Sequence, residues 1–328
     1  MAKIKKKGIF FTFIAITIMV VFIVIFTPQA DVSLQKDTQS IKKRVATIDT
    51  FINSLENVYF ESVLRSSSYK TILSLILYVN KTDSFLIDLD SAFSEVILNG
   101  TINNFPIDAF TEKNIMDNNT LTNWTKRIIK ISKDTLDLDT TITINNVTIY
   151  QVNPWNIESR LSINFTIKSN VAEWKKNNVI ITASNSIEGL HDPSYLVNTN
   201  GLYDNKIKKS SVETNKWNLS HVGEHLRNGT YVYRENSKAP SFLMRFVNDT
   251  TNSSCCGIES LIDPNKITSS DQIESYVDYH FWNHTFANKC IFLFNITGLW
   301  NEFRYFKLDI EHVVLYNITP QDLKPTCL

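Results

Sequence analysis

The hydrophobic residues of this chain follow three patterns in succession: an unbroken apolar run, a stripe at helical spacing, and an alternation of period two. The apolar run comes first, and residues 9–27 contain no charged side chain. A helix of this length spans roughly 28 Å, which is close to the thickness of a bilayer core. The run therefore predicts a transmembrane helix over Ile9–Thr27.

The charges that flank the apolar run predict its orientation. Four lysines stand within the first seven residues, and the first acid is Asp31. Because lysine is retained on the cytoplasmic side, we expect a single-pass protein of the cell membrane with a cytoplasmic N-terminus and the bulk of the chain outside. A cleaved secretory signal is one alternative, although its apolar core is normally shorter, at about 7–15 residues. A buried helix of a soluble protein is the other.

The second pattern is a stripe of apolar residues between 32 and 79, a stretch without Gly or Pro. It predicts a long stalk helix that continues from the apolar run after an interruption near Pro28, with a bend or break at the serines 66–68. If the stripe is a contact between subunits, replacing Ile48, Ile52 and Leu55 by Ser should abolish self-association. The stripe consists of Val45, Ile48, Ile52, Leu55, Tyr59, Tyr69, Leu73 and Ile76.

The third pattern begins near residue 140, where TITINNVTIYQV, SRLSINFTIKS and NNVIITASNSI each read as a strand. Shorter helices are expected near 84–98 and 120–133, and later strands at 229–234, 241–247, 277–284, 290–295 and 303–316. The predicted fold class is α+β, an N-terminal transmembrane helix and long helical stalk followed by a mainly antiparallel β head. The predicted domains are a leader and membrane helix (1–30), a helical stalk region (31–137) and a disulfide-containing head (138–328).

Composition and charge narrow the function classes. Of the 328 residues, 43% are hydrophobic, and the 33 basic residues balance the 33 acidic ones. No basic run exists outside the leader, so no nucleic-acid partner is expected. Thirteen N-x-[ST] sequons follow the apolar run and predict glycosylation outside the cell. They lie at Asn80, Asn99, Asn118, Asn123, Asn146, Asn164, Asn218, Asn228, Asn248, Asn252, Asn283, Asn295 and Asn317.

Four cysteines, Cys255, Cys256, Cys290 and Cys327, stand in the second half of the chain. They allow three pairings. A bond between the adjacent Cys255 and Cys256 closes a strained eight-membered ring, so we expect each of them to pair with one distant cysteine. Free thiols and a metal site are the alternatives, and the absence of a CxxC motif disfavours the metal.

Two histidine pairs have the four-residue spacing of a metal site. His221 and His225 form an HxxEH motif with Glu224, and Glu302 is a candidate third zinc ligand. Gly223 disfavours the helix that this motif needs, so we predict a short surface helix or loop without metal. The second pair, His280 and His284, is expected on a strand in a structural role. We therefore expect no metal, no cofactor and no enzymatic activity.

Several short segments together resemble archaeal type IV pilin-like proteins with a class III signal peptide, in an uncharacterised single-span subgroup. The resemblance implies processing by a prepilin peptidase at Lys5, Lys6, Lys7, Gly8 and Ile9, with the cut after Gly8. Pilins usually carry Glu at the fifth mature position, where this chain has Phe13, which favours a minor pilin, a tip subunit or an anchored relative. The carrying segments are KKKG at 5–8, QVNPW at 151–155, SIEGLHDPSY at 186–195, APSFLMR at 239–245 and SCCG at 254–257.

These observations lead to one functional expectation. We expect a membrane-anchored, pilin-like protein of the cell surface with a structural or adhesive role in or at a filament. Its expected partners are the membrane, other copies or other pilin-like subunits, and the prepilin peptidase. The alternative is a permanently anchored binding protein whose head recognises a glycan or a protein and which does not assemble.

Overall fold

The computed structural model describes residues 7–212, 217–235, 238–267, 274–286, 289–299, 303 and 305–326, with the backbone alone for 7–13 and 23–37. The α-helices in the described residues are α1 (Lys7–Ser54), α2 (Phe60–Thr82), α3 (Leu89–Asn99), α4 (Ile107–Thr111), α5 (Leu121–Leu136), α6 (Pro193–Asn198), α7 (Leu219–Asn228), α8 (Asp278–Trp282) and α9 (Ile310–Leu315). The strands are β1 (Thr101–Ile102), β2 (Phe105–Pro106), β3 (Asp139–Asn153), β4 (Asn156–Lys168), β5 (Glu173–Ser186), β6 (Tyr231–Tyr233), β7 (Ile258–Ser260), β8 (Leu293–Ile296), β9 (Lys307–Asp309) and β10 (Leu323–Pro325).

The fold is α+β, with long helices first and antiparallel sheets after them. The largest sheet is a meander in the order β3-β4-β5, and its three long strands match the three predicted ones. Two smaller sheets follow, β6-β7 and β10-β8-β9, whose strands also pair antiparallel. The meander packs on α2, where the ring centroids of Phe60 and Phe165 lie 5.9 Å apart. The stalk and head regions thus contribute to one hydrophobic core.

The predicted transmembrane helix is not found. Within the part of the chain that the structure describes, no helix combines the length and the apolar character needed to cross a membrane. This finding contradicts the helix over Ile9–Thr27 and the predicted single-pass placement in the cell membrane. The run belongs instead to α1, which continues through Pro28 to Ser54 without the predicted interruption.

A single π-helical turn, Leu55–Tyr59, joins α1 to α2 and changes which side chains face the core. Up to and including the first residue of the turn, Ile48, Ile52 and Leu55 are buried, as the stripe predicts. A π turn accommodates one extra residue, so the face that follows is rotated by about 100°. Tyr69 is therefore exposed. The core face of α2 begins instead with Phe60, Leu64, Ser67 and Thr71. The helix does not break at the serines 66–68.

Because Ile48, Ile52 and Leu55 are buried within the chain's own core, they are not available as a contact between subunits. Replacing them by Ser would remove core packing, so this substitution does not test self-association. Two acidic residues next to these three, Asp49 and Glu56, also contact the head. The indole nitrogen of Trp174 donates to Asp49 Oδ1 at 2.8 Å, and Lys176 Nζ lies 3.2 Å from Glu56 Oε1.

Deleting Val58, which is exposed in the π turn, should leave the protein folded. The deletion gives a regular α-helix in which the buried residues on both sides of the turn share one continuous 3-4 spacing. We expect a thermal midpoint within a few degrees of wild type by circular dichroism. Deleting Ser66, which is exposed on α2, rotates the face around Leu64 out of the core. This deletion should lower the free energy of unfolding by several kcal/mol. Equal losses in the two deletions would contradict this account of the turn.

The later strand predictions fail at three places. The segment 241–247 ends in a 3₁₀ turn, Met244–Val247, and 277–284 contains the helix α8. The segment 303–316 divides into the short strand β9 and the helix α9. In the last case Asp309 ends the strand, because its side chain caps α9 by accepting from the backbone N–H of His312 at 3.1 Å.

Candidate functional site

The central feature of the second half is the strand β7, which lies between two buried clusters of charged side chains. Its residues alternate in direction, as in any strand. Ser260 bonds to one cluster, which surrounds Arg245. Glu259 points to the other, which surrounds His312. The helix α8 contributes to both, through Asp278 and His280 respectively.

The Arg245 cluster holds one guanidinium between two carboxylates. Arg245 is 2% exposed, and its Nη1 donates to Asp192 Oδ2 at 2.7 Å and to Asp278 Oδ2 at 2.8 Å. Its Nη2 donates to the carbonyl of Ile258. The ring of Tyr231 lies under the guanidinium at 5.6 Å, and its hydroxyl donates to Asp192 Oδ2 at 2.7 Å. Arginine suits this position because its planar fork reaches several acceptors at once.

Hydrogen bonds from the surrounding elements hold the two carboxylates in place. Asp278 Oδ2 accepts from the hydroxyl of Ser260 at 2.8 Å, and Asp278 Oδ1 accepts from the N–H of Tyr279 at 2.7 Å. Asp192 caps α6 by accepting from Ser194 N–H. Burial raises the pKa of Asp278 against the opposing charge of Arg245. The cluster is thus a buried network in which the cation offsets the cost of burying the acids.

The His312 cluster places an imidazole between two other carboxylates. His312 Nδ1 contacts the two Asp309 oxygens at 2.8 and 2.9 Å, and Nε2 lies 3.5 Å from Glu259 Oε2. Burial disfavours the charged ring, yet the charge of Glu259 and the bonds to Asp309 outweigh burial and raise the pKa of His312 to about 10. Glu259 also accepts from the hydroxyl of Tyr316 at 3.0 Å and lies 3.5 Å from Arg234 Nη2.

His280 lies at the edge of this cluster, next to His312. Neither of its ring nitrogens has a hydrogen-bond partner, although both atoms are shielded from solvent. Its ring packs against Tyr279 at 4.2 Å, Phe286 at 5.1 Å and His312 at 5.5 Å between centroids. Burial lowers the pKa of His280 to about 4. Among the described residues, His280, Asp309 and His312 are the group of His, Cys, Asp and Glu side chains close enough to share an ion.

The HxxEH motif does not form a metal site in the described residues. It lies on α7, which Asn218 caps by accepting from the N–H of His221 at 3.2 Å. His225 is buried against Trp217 and bonds through Nδ1 to the hydroxyl of Thr230, while Glu224 is exposed. The proposed third ligand, Glu302, lies outside the described residues. The second pair also separates, because His280 faces the cluster and His284 is 60% exposed.

The cysteines pair differently from the expectation. Cys255 and Cys256 are joined to each other, so the predicted bonds from them to distant partners are wrong. Both sulfurs lie 3.6 Å from the carbonyl oxygen of Gln151. Cys290 is disulfide-bonded as well, and Cys327 lies outside the described residues.

The sequon asparagines are accessible in every case. None of the thirteen is buried: nine are exposed, and the four at 80, 123, 164 and 295 are partly buried. Their glycosylation stays a prediction. Of the predicted processing residues, Lys7, Gly8 and Ile9 form the first turn of α1, whereas Lys5 and Lys6 lie outside the described residues.

Comparison with protein-family models, with curated proteins and with solved structures found no significant match to this chain. Functional conclusions therefore depend on the sequence and on the geometry of the described residues.

Proposed function

We propose that this protein is a structural subunit that assembles with copies of itself into a pilin-like filament, through the apolar part of α1. One observation carries the proposal: the described side chains 14–22 are all exposed, and seven of them are large and apolar. The consecutive residues Ile18, Met19, Val20 and Val21 are 48–68% exposed and point in four directions around the helix. A helix that is apolar on all sides is normally surrounded by other protein or by an apolar medium.

The length of α1 explains why the chain's own head does not cover this surface. In the described residues before Ile48, no side chain is buried. The 41 residues from 7 to 47 extend about 60 Å along the helix axis. In the described residues, the head packs on the end of this helix, where Trp174 bonds to Asp49, and not on its apolar part. Burial of the apolar part therefore requires a partner outside the chain.

Other copies of this chain are the partner that fits this geometry. Parallel neighbours place their apolar segments at the same level, so each helix can be surrounded rather than contacted along one seam. Burial of this surface lowers the free energy of the assembly by about 25 cal/mol for each Å² of apolar surface removed from water. The heads then lie at the outside of the assembly, where the accessible sequons of the head would be free to carry glycans.

Introducing charge into the apolar part of α1 should abolish assembly. In a chain with Ile16→Glu and Val20→Glu, two carboxylates would have to be buried between helices without partners, which is strongly unfavourable. We expect the wild-type full chain to sediment as a large species that electron microscopy shows to be elongated. The double variant should sediment as single chains with an unchanged circular dichroism spectrum.

The matched control is Ile180→Glu, which changes a similarly exposed isoleucine on β5 of the head. This variant should assemble as wild type does. A wild-type chain that stays monomeric at all concentrations would overturn the proposal, and so would a double variant that assembles as well as the control.

A further inference from the structure

We infer that His280, Asp309 and His312 form a binding site for a divalent transition-metal ion of the zinc class. Each of the three residues offers one ligand atom, and these atoms lie within 4.8 Å of one another. Two imidazole nitrogens and one carboxylate oxygen are a ligand set that zinc uses with a fourth position left open. The site is independent of the filament proposed above, because it lies in the head and shares no residue with α1.

The unbonded nitrogens of His280 are the observation that favours a ligand over simple packing. A buried polar atom without a partner costs about 1–3 kcal/mol, and most buried polar atoms in proteins are satisfied. In His280 both ring nitrogens are shielded and unsatisfied. A metal ion between His280 and Asp309 would use the lone pair of the unprotonated ring nitrogen, which packing alone leaves unused.

The residues behind the ligands are arranged as supporting groups of a metal site usually are. With Nδ1 of His312 facing Asp309, the Nε2–H of the same ring points to Glu259 Oε2 at 3.5 Å. Asp309 Oδ2 accepts from the hydroxyl of Ser275 at 2.6 Å. Metal-binding histidines commonly donate their second N–H to a carboxylate, which fixes the tautomer and the ring orientation.

The chemistry of the donors selects the class of ion. Imidazole suits zinc, copper, iron and nickel, whereas calcium and magnesium prefer sets of oxygen ligands. The carboxylate of Asp309 beside Nδ1 of His312 also suits a divalent cation, which would replace the proton on that nitrogen. Metal ion and proton compete for that nitrogen, so binding is best measured at mildly alkaline pH.

Titration of the metal-free full chain with Zn²⁺ at about pH 8, followed by calorimetry, tests this inference. We expect one ion per chain, and a rise of the thermal midpoint that chelator reverses. His280→Ala should weaken binding at least about tenfold, the range seen when a single supporting group of a metal site is lost. Because the alanine also removes a ring that packs against Tyr279 and Phe286, the metal-free variant should unfold at a lower temperature than wild type, and its affinity is compared below that temperature. His280→Asn is a second variant in case the alanine substitution impairs folding.

His284→Ala is the matched control, since it removes an exposed imidazole four residues away in the same segment. It should bind Zn²⁺ as wild type does. The inference is overturned if the wild-type chain takes up no stoichiometric ion, or if His280→Ala and His284→Ala bind equally well. The assembly variant with Ile16→Glu and Val20→Glu should bind Zn²⁺ normally, so failure of one proposal is distinguishable from failure of the other.

Discussion

Replacing Arg245 by Met is expected to lower the free energy of unfolding by about 3–5 kcal/mol, the usual cost of leaving a buried charge without its partner. Asp192 and Asp278 are 0% exposed, and both contact the same Arg245 Nη1. Methionine fills much of the same volume but supplies no charge and no donors. Urea denaturation at neutral pH, followed by circular dichroism, measures the loss.

Two further variants separate the charge effect from a loss of packing. Arg65→Ala removes an exposed arginine that pairs with Glu61 one turn away on α2, and it should cost about 0.5 kcal/mol or less. Adding Asp278→Asn to Arg245→Met removes one of the two uncompensated acids. The free energy of unfolding of the double variant should therefore be about 1 kcal/mol or more above that of Arg245→Met. A loss below about 1 kcal/mol in Arg245→Met alone would contradict the assignment of Arg245 as the cation that both carboxylates need.

Acidification from pH 6 to pH 5 is expected to lower the free energy of unfolding steeply, by about 2.4 kcal/mol. Burial lowers the pKa of His225 to about 3, against the opposing charge of Glu259, and burial likewise lowers that of His280 to about 4. In the unfolded chain, histidine titrates near 6.5, so the unfolded state binds protons that the folded state excludes. Each ring contributes a slope of about 1.4 kcal/mol per pH unit. This stability is present above pH 6.5 and is lost as the pH falls.

The variant His225→Asn isolates one of the two contributions. Asparagine keeps an amide that can meet the hydroxyl of Thr230, but it does not titrate. Between pH 6 and 5, its unfolding free energy should change with about half the wild-type slope, in urea denaturation with chelator present. Above pH 6.5 the two curves should run parallel, because the ring is then neutral in both states. An unchanged slope in the variant would show that His225 is protonated in the fold.

Much of the secondary structure could be predicted from local patterns. The meander β3-β4-β5 follows from alternation over strands long enough to show a period. The later strands were harder to predict, because they are only three or four residues long. In such short segments, tertiary contacts and helix caps outweigh β propensity, as at Asp309, whose side chain starts α9 where the pattern suggests a longer strand.

The candidate metal site was largely hidden from sequence reasoning. The four-residue spacing links His280 to His284 in the sequence. The fold instead brings His280 close to Asp309 and His312, which lie about thirty residues away. The one local indication is the spacing of Asp309 and His312, which is typical of a residue that caps a helix. Likewise, Arg245 lies in a segment that reads as a strand, and only its contacts show that it links Asp192 to Asp278.

The sequence by itself determined the long helices and the three-stranded meander, the position of the apolar run, and the sites where glycans could be attached, because each depends on a local pattern. The tertiary structure decided which face of α2 is buried, since one extra residue in the π turn rotates that face. It also decided which charged side chains meet, as Arg245 meets Asp192 and Asp278. Such contacts join residues far apart in the chain, and their strength depends on burial, which no local pattern records.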